Sequence, residues 1–184
     1  MAKTMKLISL LSVTATICFS ALYIYNKTHA FLSLAITFGT MAFHLCLRLL
    51  VGTLFNAVMK NRADYSKNRY QVRAWEKKLY DKLKVKKWKN KMPTYDNDAF
   101  DASKHSWDEI AQASCQSELV HETNVVLSFV PIVFSVWFGS LAVFIITSVC
   151  GALFDLMFVI IQRYNRPRIL KMVNKTSRKK SQKL

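Results

Sequence analysis

Acidic side chains are scarce in this chain: 11 Asp and Glu stand against 27 Lys and Arg, and no acid follows Asp155. Histidine is rarer still. His29, His44, His105 and His121 are the whole supply, too few for the histidine-rich sites of membrane di-iron oxygenases. Cys18, Cys46, Cys115 and Cys150 show no paired spacing, which argues against a disulfide framework and for free thiols. No internal repeat is present. What the chain has in quantity is hydrophobic surface, at 52% of residues, alongside a net charge of +16. A soluble domain rarely combines the two, and here they occupy different segments.

Residues 7–25 carry no charge, residues 31–51 are interrupted only by His44 and Arg48, and residues 125–161 hold a single charge, Asp155. A crossing takes about 20 residues, so the third run is long enough to turn back at Gly139-Ser140. The expected fold class is an all-α membrane protein of about four transmembrane helices, spanning roughly 7–25, 31–51, 125–138 and 141–161. The first limb of the last pair, with Pro131 inside it, is short enough to be kinked or re-entrant. Residues 1–174 form one expected membrane domain, and 175–184, rich in Lys and Ser, form a basic disordered tail.

Orientation follows from Lys and Arg beside the spans. Residues 60–91 hold 13 basic side chains against Asp64, Glu76 and Asp81, and residues 163–183 hold nine with no acid. The short connections at 26–30 and 139–140 offer only Lys27. Both termini and the segment 60–122 are therefore expected on the cytoplasmic side of a multi-pass cell-membrane protein. The first span has the Lys-then-apolar form of a signal peptide but lacks a small-x-small cleavage site, so a retained anchor is the preferred reading. The triplets Asn26-Lys27-Thr28 and Asn174-Lys175-Thr176 match the glycosylation pattern by chance.

Within residues 60–96, Val72, Trp75, Leu79, Tyr80 and Leu83 fall on one helical stripe among many Lys and Arg. That pattern predicts a basic amphipathic helix lying on anionic inner-leaflet lipid. Nucleic acid is the rival partner for so basic a run. Its placement between spans and its apolar stripe favour the membrane and no nucleic acid. Lys91-Met92-Pro93-Thr94-Tyr95 is expected to end the helix. A loop should follow to Asp108, then a helix from Trp107-Asp108-Glu109 into the third span.

Four elements carry polar groups that chemistry can use. His44 and Arg48 lie four apart on one face of the second span, where a charge must face the interior or snorkel. Glu118 and His121 are three apart on one turn, so a carboxylate could orient an imidazole acting as general base, with Glu122 beside them. Asp155, the only acid within a span, is read as a salt-bridge partner of Arg48. The array Gln162-Arg163-Tyr164-Asn165-Arg166-Pro167-Arg168 closes the last span with three guanidinium forks suited to phosphate or carboxylate. All four elements were expected to meet in one polar pocket at the membrane interface.

The 162–168 array, Glu118-Leu119-Val120-His121, and Lys87-Trp88-Lys89 followed by Pro93 resemble the glycosyl-4,4'-diaponeurosporenoate acyltransferases, small bacterial membrane enzymes of the staphyloxanthin pathway. The resemblance covers roughly residues 43–171. It implies transfer of a fatty acyl group from an acyl thioester, acyl-CoA or acyl carrier protein, to a hydroxyl of a glycosylated lipid, a carotenoid glycoside or another glycolipid. It implies no cofactor and no metal. In that light His121 is the base, Glu118 orients it, and His44 and Arg48 stabilise the oxyanion. Gln162, Arg163, Asn165, Arg166, Arg168 and Trp88 would bind substrate. Two other classes stay open: a non-catalytic scaffold binding anionic lipid or a partner enzyme, and a metal site built from His44, His121 and Glu118. The chain has no His-x4-Asp and no Asp-His-His-Cys site, and nothing flanking Cys115 is placed to activate a covalent acyl relay.

Overall fold

A computed structural model describes residues 2–92 and 98–182. Every regular element among them is helical: α1 (Ala2–Asn26), α2 (His29–Met59), α3 (Ala74–Lys82), α4 (Val85–Trp88), α5 (Trp107–Leu127), α6 (Ser135–Phe138) and α7 (Leu141–Ser181), with short 3-10 turns between. Four segments are long and apolar enough to cross a membrane: Lys3–Asn26, His29–Met59, Trp107–Phe138 and Leu141–Lys179. The expected all-α fold with four such helices is the one observed.

The chain divides into two compact units. One comprises Met1–Thr53 and Thr123–Asp155, the other Leu54–Glu122 and Leu156–Leu184. In the first, α1 and α2 are joined by Lys27 and Thr28, with Lys27 in the left-handed region at φ 54°. Phe19 stacks on Phe31 and Phe38, and Gly39 of α2 faces the Thr16 side chain of α1. Three hydroxyls of α1 are satisfied within the helix itself. Ser9, Ser12 and Thr16 donate to the carbonyls of Met5, Ile8 and Ser12 at 2.8–2.9 Å, the local solution open to a helix in lipid.

The third expected span, 125–138, belongs to a longer run. Helix α5 begins at Trp107, where Ser106 and Glu109 cap each other reciprocally. It ends at Leu127, and a 3-10 turn around Pro131 and the four residues of α6 complete the limb. Gly139 (φ 67°) and Ser140 (φ 53°) then reverse the chain. Helix α7 passes through Pro167 and on to Ser181, across most of the segment expected as a disordered tail. Proline removes one backbone hydrogen bond, and no glycine or second proline follows to stop the helix.

The basic amphipathic helix is shorter than its sequence pattern. A residue in the left-handed region, Lys84 (φ 51°), separates α3 from α4. The face that α3 buries is Glu76 and Tyr80, while Trp75, Leu79 and Leu83 of the expected stripe are exposed. Tyr80 therefore leaves the stripe, because its hydroxyl donates to Glu76 at 2.6 Å inside the second unit. The expected helix stop at Pro93-Thr94-Tyr95 lies outside the described residues.

Candidate functional site

Each unit holds a buried cluster of polar side chains.

In the first unit, Arg48 projects from α2 to α7. Its Nη2 lies 2.7 Å from Asp155 Oδ2 and donates to the Gly151 carbonyl at 3.1 Å, while Nη1 donates to the His44 carbonyl at 3.0 Å. The salt bridge expected between Arg48 and Asp155 is thus present, and Arg48 does not snorkel. Asn124 of α5 donates to Asp155 at 3.4 Å. The His44 ring packs on Gly151 so closely that a Cβ there would sit 2.9 Å from Nδ1. Ser148 and Asp155 lie one turn either side of Gly151, so one face of α7 supplies the whole contact.

In the second unit, Glu118 of α5 is fully buried, and both its oxygens are taken by guanidinium groups. Arg163 Nη1 donates to Oε1 at 2.7 Å, and Arg166 Nη1 donates to Oε2. Arg163 also grips Glu76 with two parallel bonds, Nε to Oε2 at 2.6 Å and Nη2 to Oε1 at 2.7 Å. Two acids thus face two arginines. Arg166 has no solvent-exposed surface; it donates to the carbonyls of Tyr70 and Ser114 and stacks over the Tyr70 ring at 5.2 Å. Gln162 ties α7 to α5 through Ser114 and Ser117. Burial alone pulls the Glu76 carboxyl upward. Hydrogen bonds from Arg163, Tyr80 and the Arg73 amide outweigh it and hold the group at about 2. Burial and the bond to Glu76 push the Tyr80 phenol well above its usual range.

This cluster gives several expected site residues a different use. Glu118, expected to orient His121, accepts from Arg163 and Arg166 with its two oxygens. Those two arginines were expected to hold substrate, yet their forks are spent on internal carboxylates. His121, one turn beyond Glu118, is half-buried and stacks on Phe158 with ring centroids 4.6 Å apart. Glu122 pairs with Arg69 at 2.6 Å. Arg168 is exposed, with its guanidinium over the Tyr164 ring at 5.4 Å. It lines a cavity of about 260 Å³ with Lys77, Tyr80, Asp81 and Pro167. Lys89 donates to Asn165 at 2.7 Å, and burial followed by the nearby Arg168 lowers its pKa. Trp88 half-buries its ring and donates to the Leu83 carbonyl at 3.1 Å.

Sequence reasoning missed Glu76, Tyr70, Ser114, Asn124 and Ser148. Glu76 did carry a signal: an acid in the first turn of a basic helix, four residues before a tyrosine. Asn124 is an amide at the mouth of an apolar run. Tyr70 and Ser114 had no signal, since their role is set by backbone carbonyls that the fold brings together. All four cysteines are free, with Cys115 packed beside Ala63 and Tyr70. Among the described residues, no three His, Cys, Asp or Glu are grouped to hold a metal ion.

These features define a helical membrane protein with buried, internally neutralised ion pairs inside each unit. The sequence model of the CrtO family, glycosyl-4,4'-diaponeurosporenoate acyltransferase, matches residues 66–175. The chain belongs to that family and is an acyltransferase. The matched segment holds all four members of the Glu76–Arg163–Glu118–Arg166 cluster and excludes His44 and Arg48. No curated protein and no solved structure matches the chain.

Proposed function

We propose that the protein moves a fatty acyl group from a water-borne thioester, acyl-CoA or acyl carrier protein, to a hydroxyl of a glycosylated lipid, with His121 as general base. Family membership carries the reading. The placement of His121 supports the base. Its imidazole is half-buried, so it is accessible without being fully solvated, and the stack on Phe158 restrains the ring. The helix that bears it is anchored one turn earlier by Glu118, through two arginines of α7.

In this mechanism the imidazole accepts the acceptor hydroxyl's proton as the oxygen attacks the thioester carbonyl. The tetrahedral intermediate then collapses with cleavage of the carbon–sulfur bond. The imidazolium returns its proton to the departing thiolate, leaving an ester and a free thiol. Glu118 acts at a distance, by fixing α5 against α7. Arg48 faces Asp155, so its charge is compensated and the oxyanion role is not assigned to it. On the donor side, Arg168 and Lys77 are exposed cations beside a shallow cavity, a setting that suits the phosphates of a CoA or a phosphopantetheine. Both termini are assigned to the cytoplasm, with the exposed Trp75, Leu79 and Leu83 at the headgroup layer and the flanking lysines on anionic lipid.

His121→Gln tests the base. General-base catalysis contributes about 10²–10⁴-fold, so turnover should fall by at least that lower figure while the thermal midpoint stays near wild type. Near-normal turnover in the folded variant would remove His121 from the mechanism.

A further inference from the structure

Helix α7 does not stop where its apolar run does. The run ends at Ile161, and the helix continues unbroken to Ser181. Past Pro167, the residues Arg168, Lys171, Lys175, Arg178 and Lys179 are spaced i, i+3, i+7, i+10 and i+11, which gathers them within about 100° of the helix circumference. All five are exposed. Ile169, Leu170 and Val173, on the opposite side of the same stretch, are half-buried, so the basic side is the one turned outward. Like charges one turn apart destabilise a helix, and among the described residues no carboxylate pairs with any of the five.

Anionic headgroups are out of reach for most of this face. The headgroup layer is about 5–8 Å thick on each side of the hydrocarbon. At 1.5 Å per residue, Lys175 and Lys179 lie about 21 and 27 Å past Ile161 along the axis. Lying flat on lipid would take a right-angle turn, and α7 has no break between Ile161 and Ser181. Residues 174–181 also contain no apolar side chain to seat a helix in the interface. A nucleotide head fits no better. Small ligands take concave sites, whereas this face is convex and roughly 16 Å long.

The face is rooted in a cavity. Arg168 lines the space of about 260 Å³ with Lys77, Tyr80 and Asp81, where a phosphate would find two cations. A donor that places one phosphate there and acidic side chains along α7 carries its thioester on a protein. We propose that the face formed by Arg168, Lys171, Lys175, Arg178 and Lys179 docks a small acidic protein bearing the acyl thioester, so that the donor is an acyl carrier protein rather than acyl-CoA. Naming this partner as the donor rests on the acyltransferase reading; the fit of the face to an acidic macromolecule does not.

The test measures binding of a purified, palmitoyl-loaded bacterial acyl carrier protein to the full chain in phosphatidylcholine nanodiscs by interferometry. Single-stranded RNA and phosphatidylglycerol-containing nanodiscs are the other arms. The carrier should bind, and its affinity should fall as salt rises. Lys175→Gln/Arg178→Gln should weaken binding about tenfold. Asn174→Glu/Ser177→Glu shifts the helix charge by the same amount at exposed positions off the stripe, and should leave affinity within about twofold. Lys171→Gln/Lys179→Gln repeats the first comparison if that variant fails to fold. Absent carrier binding, equal losses on and off the stripe, RNA bound as tightly as the carrier, or carrier binding abolished by phosphatidylglycerol would each overturn the proposal. Binding is read without turnover. Absent carrier binding with intact transfer from acyl-CoA therefore overturns this surface alone, and stripe-dependent carrier binding without transfer from either donor overturns the proposed reaction alone.

Discussion

Replacing Glu118 with Gln keeps the shape of the side chain and removes one charge from a cluster of two acids and two arginines. Arg166, with no exposed surface, then has only neutral acceptors: the amide oxygen introduced at position 118, Tyr70 O, Ser114 O and Ser114 Oγ. Arg163 keeps its two bonds to Glu76. The loss therefore falls on Arg166, a buried guanidinium without a counter-ion. Breaking a buried pair from one side costs about 3–5 kcal/mol. At about 2–4 °C per kcal/mol for a chain of this size, the thermal midpoint should drop by roughly 6–20 °C. The double variant Glu118→Met/Arg166→Met removes both charges and leaves the Glu76–Arg163 pair balanced. Its midpoint should recover most of the loss, since apolar replacement of a whole buried pair is often neutral. The assay is tryptophan fluorescence or size-exclusion retention against temperature in a mild detergent. A shift under about 2 °C for the single variant, or a double variant no better than the single, would refute the argument that Glu118 serves to neutralise Arg166.

Three further outcomes follow from the same contacts. Glu76 is held at about 2 against an ordinary 4.5, so its contribution to stability is fully present above pH 4.5 and is lost as pH falls toward 2; Glu76→Gln should flatten the acid limb of the stability profile in that window, and an unchanged slope would count against the assignment. Gly151→Ala places a Cβ 2.9 Å from His44 Nδ1 and should cost about 1–3 kcal/mol in thermal stability, recovered when His44 is also made Ala; equal midpoints for wild type and Gly151→Ala would mean the imidazole yields freely. Arg168→Glu should raise the KM for a CoA-linked donor about tenfold with little change in kcat, an effect that shrinks as salt rises; an unaltered KM would place the donor elsewhere.

The helices were legible because apolar length and a turn residue suffice to define them. Residues 7–25 and 31–51 read as spans without reference to anything they touch, and Gly139-Ser140 read as a reversal. The basic helix was misread because its periodicity ranks Tyr80 with Trp75 and Leu79, whereas hydrogen bonding to Glu76 turns Tyr80 inward. A stripe computed from hydrophobicity carries no information on which polar group waits across the interface. The same limit governs the site. Arg48 and Asp155 were pairable from sequence because each was the lone charge of its sign in an apolar run. Glu118 was paired with His121 because the two are three apart; spacing gave no sign of its partners Arg163 and Arg166, 45 and 48 residues away. Local spacing finds neighbours on one helix, and a buried carboxylate answers to the strongest cation in reach.

The central claim, that this chain esterifies a hydroxyl of a glycosylated lipid, is met most directly by comparing lipid extracts of cells with the gene, without it, and with His121→Gln in its place. An acylated glycolipid should be present in the first and missing from the other two, with the unacylated glycolipid accumulating in its stead. An identical lipid profile in all three would contradict the account.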